Sequence, residues 1–529
     1  MASPREAFSS RWLMMLVMLG MAVGTGNIWR FPRIAAQNGG GEFIVAWLTF
    51  LFLWSIPLIL VEFGMGRRTR TGPVGAFIQM MGPRWAWMGA FIAFVATAIM
   101  FYYSVVAGWT IRFTIASVAG EVPGGRPGAF WEAYTGSWWP VVTHGLAIGL
   151  ATFVVGRGVR AIERVARVLM PTLVLLVVLL AVRAVLLPGA SDGLSYLFGV
   201  DWRALGDARI WIEALTQNAW DTGAGWGLIL AYAAYLRTQE DTALNAFLLP
   251  AANNTVSLFA GVMVLCTVFA VVPDLVARLA ADPDVLATYP QLAAAVREGA
   301  DLTPGLIQET IFSSNNEGLT FIWMPQLFAQ IPWGRGLMFV FFLALTFAAF
   351  TSLIAMVELA TRVLRDAGLE RAAAVRWVGA VGFLLGIPSA RSLGFLGNQD
   401  FVWGVGLMLS GLFFALAVIV HGVRRFRREQ INHEHSDIRV GRWWEFVIGV
   451  VVPLEALVLL GWWFYQVRGA DLRGWLDPFR TANVGTMVFQ WGIVLAVLVL
   501  ANRWLARHTH GIEDATGGTA PPPDEPPSE

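Results

Sequence analysis

Charge is scarce in this chain. Only 14% of its 529 residues are charged, against about 25% in soluble globular proteins, which argues strongly against a water-soluble enzyme. Lysine is absent: all 37 basic residues are arginine, which with the abundant Ala, Gly and Trp suggests a GC-rich prokaryotic genome. Cysteine is down to one, Cys266 in an apolar run, so there is neither a disulfide framework nor a thiolate zinc site. Net charge is nearly missing too, since 37 basic against 36 acidic residues leave +1. That excludes a nucleic-acid binder driven by overall charge. What the chain has is apolar surface, with 57% hydrophobic residues and a mean hydropathy of +0.61. Apolar runs longer than about 18 residues recur from end to end, which predicts an all-α polytopic membrane protein.

The runs divide into about twelve segments of spanning length, at 12–35, 41–66, 88–117, 139–156, 165–187, 208–235, 241–273, 320–363, 371–388, 399–423, 444–467 and 484–506. The eighth is too long for one span. It reads as an approach segment from Trp323 to Trp333 and then a helix from about Gly336. Arg5 and Arg11 precede the first span, Arg67, Arg68, Arg70 and Arg84 follow the second, and Arg157, Arg160, Arg164 and Arg167 follow the fourth. Arg362, Arg365, Arg371 and Arg376 follow the eighth, and Arg424, Arg425, Arg427, Arg428, Arg439 and Arg442 follow the tenth. These loops share one side. The positive-inside rule therefore predicts cytoplasmic termini and a multi-pass protein of the plasma (inner) membrane.

The first span runs on into Gly-Asn-Ile-Trp-Arg-Phe-Pro without a small-x-small cleavage site, unlike a removable signal peptide. The stretch 274–318 is long for a connection inside a bundle. Its spaced apolar residues (Leu275, Leu279, Val285, Leu292, Val296) predict short helices that form an extracellular lid. The tail from Gly511 cannot bury a core and is expected to be disordered.

Two spans are interrupted at matching places. The first reads LGMAVGTGN over 19–27 and the sixth QNAWDTGAGWG over 217–227, and each opens a group of five spans. Glycine costs about 1 kcal/mol against alanine inside a helix. Unwound backbone survives in a bilayer only where protein or a watery cavity supplies partners. One glycine pair alone fits close helix packing equally well. Two pairs in corresponding halves, with Asn27 and Asp221 in the breaks, point to the site of an inverted-repeat transporter. At a break the incoming half ends in free carbonyls and the outgoing half starts with free N–H groups. Carbonyls near Gly20, Ala22 and Val23 thus favour a cation, and the N–H groups of Thr25 and Gly26 favour a carboxylate.

The run Gly24-Thr25-Gly26-Asn27-Ile28-Trp29-Arg30-Phe31-Pro32, followed by Asn38-Gly39-Gly40-Gly41, resembles the signature of the neurotransmitter:sodium symporter family. Further matches follow in order: Glu62, Tyr102-Tyr103 before Trp109, Ile162-Glu163-Arg164 before Met170-Pro171, Asn253, Thr351-Ser352 and Asp400-Phe401. The resemblance spans residues 5–505 and implies a bacterial member with the leucine-transporter fold. That fold is a five-plus-five inverted repeat with helices 1 and 6 unwound, plus two extra helices. Its parts here would be a segment 1–11, a first repeat 12–187, a second repeat 208–423, the extra helices within 444–506 and a tail 507–529.

The resemblance also implies site residues. One sodium site would use the carbonyls of Gly20, Val23 and Ala348 with the hydroxyls of Thr351 and Ser352, unless those hydroxyls bond back to their own helix. The other would use the Ala22 carbonyl, Asn27, Asn253 and Asp221. Tyr103, mid-span rather than interfacial, would complete the carboxylate site with Thr25 and Gly26. Further substrate contacts fall to Met21, Ala22, Gly24, Ile99, Trp220, Gly223, Trp226, Ser352 and Met356. Arg30 with Asp400 would close the outer pathway, and Arg5 with Asp366, supported by Phe8, the cytoplasmic one. Charge pairs of this kind open on hydration, although Arg5 and Asp366 also fit ordinary juxtamembrane charge.

Several positions depart from the family pattern. Asp221 stands where a hydroxyl residue is usual, one that contacts the first sodium and, in chloride-dependent members, chloride. Some bacterial members carry a compensating carboxylate on the seventh helix, where this chain has Ser257, and the aromatic usually near chloride is Trp47 here. Asp221 is therefore expected to supply the negative charge itself, compensated by sodium, with a protonated, structural Asp221 as the bland alternative. Trp220 and Trp226 replace phenylalanines, Met21 replaces a polar residue, and the retained Gly24 favours a substrate with a carboxylate.

The expected function is sodium-coupled, chloride-independent import of a small amino acid or related zwitterion, by a monomer or homodimer in the lipid bilayer. Proton coupling through Asp221 and a Trp220–Trp226–Tyr103 cation–π cage for a methylated amine remain alternatives. A channel or substrate-sensing receptor on the same fold is the rival of a different class. No metal-ligand cluster or nucleophile–base pair stands out, and His144, His421, His433 and His435 lack metal-ligand context, so an enzyme is not expected.

Overall fold

Ser10 starts the first helix: its hydroxyl accepts the Leu13 N–H at 3.3 Å, and Arg11–Ala22 follows. The chain leaves helical geometry at Val23 (ψ 99°) and winds again from Gly26 to Gln37, bent 54° from the first half. The computed structural model describes residues 6–122, 127–237, 240–282, 285–286, 289–470 and 474–509. The sixth span breaks likewise. Helix Ala208–Asp221 stops, and the backbone passes Gly223, Gly225 and Gly227 at φ of +73°, +84° and +77° before Leu228–Ala233 resumes. Three left-handed residues in five positions are open to glycine at little steric cost and to no bulky side chain. The Gly-x-Gly-x-Gly spacing thus forces the break.

Among the described residues nine helices are long and apolar enough to cross a membrane unaided. Two bent pairs, Arg11–Ala22 with Gly26–Gln37 and Val484–Leu500 with Asn502–His508, raise this to eleven. The broken sixth span completes the expected twelve, and no strand occurs among the described residues.

Helix ends correct several expected boundaries. Span 7 is Thr242–Ala281, capped by Asp241, and runs past 273 into the stretch expected as lid. Span 5 starts at Val159, after left-handed Gly158, rather than at 165. Span 10 starts at Leu393, capped by Ser392, rather than at 399. Capping groups and turn residues set helix ends, whereas hydropathy marks only where the membrane core begins. The long eighth run divides as expected, into Met324–Phe328 and Gly334–Asp366. The lid carries helices Pro290–Arg297 and Pro304–Ser313. It is pinned to the first span: Gln37 Nε2 donates to the Phe312 carbonyl at 2.6 Å and Arg33 Nε to Asn316 at 2.9 Å. The tail expected to be disordered lies outside the described residues, from 510 onward.

Candidate functional site

The two breaks and spans 3, 8 and 10 enclose a cavity of about 100 Å³. Met21, Ala22, Gly24, Thr25, Gly26, Ile99, Tyr103, Trp220, Asp221, Gly223, Trp226, Ser352 and Met356 all line it, and Asn27, Arg30 and Asp400 reach it. The Tyr103 hydroxyl accepts the Thr25 N–H at 3.1 Å. Gly24 is the point of closest approach. A Cβ there would lie 3.0 Å from the Tyr103 hydroxyl and 3.1 Å from Ser352 Oγ, so a larger residue would displace one of them. Met21 reaches the other break, its sulfur 3.0 Å from where a Gly223 Cβ would be.

Asp221 is buried, and its two oxygens differ. Oδ2 accepts from Gln217 Nε2 at 3.1 Å and Ser257 Oγ at 3.3 Å, whereas Oδ1 is buried with no hydrogen-bond partner. Such an oxygen costs several kcal/mol in mid-membrane unless a cation or a proton compensates it. Asn27 Nδ2 donates to Asn253 Oδ1 at 3.0 Å and to Ser257 Oγ at 2.8 Å, so Asn27, Asn253 and Asp221 form one cluster through Ser257. The Asn27 amide oxygen is turned away from that cluster, accepting the Gly24 N–H at 2.8 Å and bracing the break.

The second expected ion site also converges. Ser352 Oγ donates across to the carbonyls ending the first half-helix, at 3.2 Å for Met21 and 3.4 Å for Gly20 and Val23. Thr351 instead bonds back to the Phe347 and Ala348 carbonyls at 2.9 and 3.1 Å. A Cβ at Gly20 would still lie 3.1 Å from the Thr351 Cβ, so the two helices touch there.

Glu62 had no role in the sequence reading, yet it holds the sixth span open. Its carboxylate accepts the N–H groups of Gly225 at 2.7 Å and Leu230 at 3.1 Å. The orphan donors of an unwound segment and a helix start are thereby satisfied inside the membrane. A buried acid in the apolar run Val-Glu-Phe was the available signal.

The gates differ from expectation. Arg30 donates to Gln217 Oε1 at 2.5 Å and lies over the Trp220 ring, 5.5 Å from its centroid. Asp400 is hydrogen-bonded by Tyr102. The expected outer pair therefore makes no ion pair among the described residues, each member being hydrogen-bonded to another partner, although the two still face each other's charge across the cavity. At the arginine-rich end, Arg5 lies outside the described residues. Asp366 pairs with Arg362 of its own helix at 3.0 Å and accepts the Gly72 N–H at 2.5 Å.

Apart from Phe8, which was expected there, that end is closed by groups that had no assigned role. Glu6 pairs with Arg365 at 2.8 Å and Arg371 at 2.7 Å. Arg371 also reaches buried Glu358 at 2.9 Å, which accepts the Tyr235 hydroxyl at 2.5 Å. Phe8 packs edge-on against Tyr232 and Tyr235, with centroids 6.2 Å away. Burial pushes the Glu6 carboxyl up, but Arg371 and Arg365 outweigh it and hold it below the ordinary glutamate range. The latch therefore keeps its charge at neutral pH and weakens only in acid.

Trp220 is wedged against span 10. A Cβ at Gly404 would lie 1.8 Å from Trp220 Cζ2. Gly404→Ala is expected to push the indole aside at an overpacking cost of about 1–3 kcal/mol. A lowered unfolding temperature checks this, and an unchanged one shows that the ring yields freely.

Comparison with known proteins agrees with this geometry. The Sodium:neurotransmitter symporter family matches residues 5–138 and 134–507. An uncharacterized sodium-dependent transporter of Methanocaldococcus jannaschii is 28% identical over 479 residues, covering 86% of this chain and 90% of the relative. The human sodium- and chloride-dependent neutral and basic amino acid transporter B(0+) is 22% identical over 585 residues, covering 93% and 83%. The crystal structure of MhsT in complex with L-phenylalanine matches with a TM-score of 0.71 at 27% identity, covering 86% of this chain and 99% of MhsT. With both helix breaks in place and the family pattern running almost end to end, the chain belongs to the sodium:neurotransmitter symporter family and is a sodium-dependent membrane transporter rather than an enzyme.

Proposed function

We propose that the chain imports a small amino acid or related zwitterion in symport with sodium, and that Asp221 supplies the charge that makes chloride unnecessary. The observation that carries this reading is the buried, unpartnered Asp221 Oδ1 in the wall between the two breaks. One sodium would bind the Ala22 carbonyl, Asn253, Asp221 and the Asn27 oxygen, the Asn27 amide turning over to present it. A second would sit among the carbonyls of Gly20, Val23 and Ala348 and the hydroxyls of Thr351 and Ser352, neutral oxygens suited to a monovalent ion. The substrate carboxylate would take the N–H groups of Thr25 and Gly26 together with the Tyr103 hydroxyl, whose bond to Thr25 supports that placement.

An amino acid is further supported by what the similar proteins carry: B(0+) is named for neutral and basic amino acids, and MhsT was solved with L-phenylalanine. A cation–π cage has less support, because Arg30 already lies over the Trp220 ring. With the arginine-rich end taken as cytoplasmic, the Glu6 latch and the lack of an Arg30–Asp400 ion pair among the described residues support the reading of a plasma-membrane carrier that faces outward.

Two measurements test the proposal. In sodium buffer, carboxylate-bearing amino acids are expected to raise the unfolding temperature, and Tyr103→Phe to weaken that binding about tenfold or more by removing a hydrogen bond to a charged group. Stabilisation by carboxylate-free amines alone would overturn the substrate class. Uptake into proteoliposomes is expected to survive exchange of chloride for gluconate, and its loss would overturn chloride independence.

A further inference from the structure

A second cavity, about 510 Å³, lies between spans 3, 8, 9 and 12 on the outer face of the bundle. Its walls are apolar, with Ala93, Phe94, Thr97, Val363, Val381 and Leu498 among them. Along span 3 it extends from Ala90 to Phe101. That is about 17 Å of helix, roughly half of the about 30 Å hydrocarbon core. Its depth is that of one leaflet.

The groove reaches the arginine-rich end at Leu369 and Leu505, where span 12 bends by 57° and Asn502–His508 departs. Asn502 ties this helix to the start of span 3, accepting the Trp87 N–H at 2.9 Å and donating to the Pro83 carbonyl at 3.1 Å. Trp377 in the groove wall and Trp504 on the departing helix are exposed, as interfacial tryptophans are. Arg376 is next to groove residue Trp377, Arg503 and Arg507 lie two residues either side of groove residue Leu505, and Arg84 is on the turn that packs against Asn502–His508; all four are exposed, and none is in an ion pair among the described residues. Glu370, six residues before Arg376, and Glu513, six after Arg507, are the acids nearest to them in sequence.

We propose that this groove binds one acyl chain of an anionic phospholipid from the arginine-rich leaflet, with the headgroup phosphate at Arg376 and Arg503. An apolar wall alone would accept any lipid. The four unpaired arginines at its mouth favour a headgroup with net negative charge. The site lies back to back with the transport cavity. On span 3, Ile99 and Tyr103 face the cavity while Thr97, Met100 and Phe101 line the groove. On span 8, Ser352 and Met356 face the cavity, while Ala360, Val363 and Leu364 line the groove beside latch residue Arg365. A bound chain therefore packs on the two helices that shape the substrate pocket.

The test uses the full chain in vesicles, probed with phosphatidylglycerol or phosphatidylcholine carrying a photoreactive acyl chain. Phosphatidylglycerol is expected to label residues 90–101 and 377–381 in preference to phosphatidylcholine. Arg376→Gln and Arg503→Gln, both surface changes, are each expected to lower phosphatidylglycerol labelling about fivefold and to leave phosphatidylcholine unaffected. Ala93→Phe, which fills the groove, is expected to abolish labelling by either probe. Equal labelling by both lipids, insensitivity to the arginine changes, labelling that survives Ala93→Phe, or crosslinks to a second copy of the chain would each overturn the assignment.

Discussion

Asp221→Asn is expected to weaken sodium binding by roughly 10- to 150-fold, the effect of losing a charged partner from a buried site. The substitution keeps the shape and the bonds at Oδ2 while removing the charge at an oxygen that no protein group satisfies. The readout is the sodium concentration giving half-maximal uptake, measured alongside sodium-induced thermal stabilisation. Asp221→Ser is expected to behave differently. It leaves a polar gap beside Ser257 and Gln217, which a chloride ion can fill, so uptake should recover partly in chloride and not in gluconate. If proton coupling were the true role, Asp221→Asn would flatten the pH dependence of uptake and leave its sodium dependence intact. Unchanged uptake in both titrations would remove both roles.

The latch at the arginine-rich end should give the second large effect. Glu358 is fully buried, pairs with Arg371 and accepts the Tyr235 hydroxyl. Removing one member of a buried pair costs about 3–5 kcal/mol when the other charge is left alone; here Arg371 keeps the more exposed Glu6 as its counter-charge, so the cost falls below that range. Glu358→Ala, which also strips the Tyr235 hydroxyl of its acceptor, is therefore expected to favour the state open at that end by about tenfold or more. Amide hydrogen exchange over residues 6–22 would accelerate accordingly, and concentrative uptake would fall. Replacing Glu358 and Arg371 together by apolar residues should recover part of the protection, since no lone charge is then left inside. Exchange in Glu358→Ala that matches the unaltered chain would show that the latch does not govern the gate.

The breaks, the span count and the cavity wall were legible because each is written in contiguous sequence. Gly-x-Gly with a polar neighbour announces an unwound turn, and a long apolar run announces a span. The latch was not legible. Glu6, Glu358 and Arg371 lie far apart along the chain and look like ordinary charges at the ends of apolar runs; only packing reveals that they meet. Gln217 was hidden for another reason. Its amide bridges Asp221 and Arg30, an orientation that depends on both neighbours and leaves no trace in spacing. Arg30 and Asp400 both reach the cavity, but their partners in this conformation depend on Gln217 and Tyr102.

Span 8 is a single uninterrupted rod of 33 residues from Gly334 to Asp366, about 50 Å long. It touches the solute pocket near its middle and carries the charged fastening at one tip. A rod of that length tilting by about 10° around its centre displaces each tip by about 4 Å, enough to part an ion pair while hardly disturbing the pivot. Were span 8 to tilt in this way, the solute pocket would sit at the fulcrum of a seesaw and stay nearly still while the ends trade places.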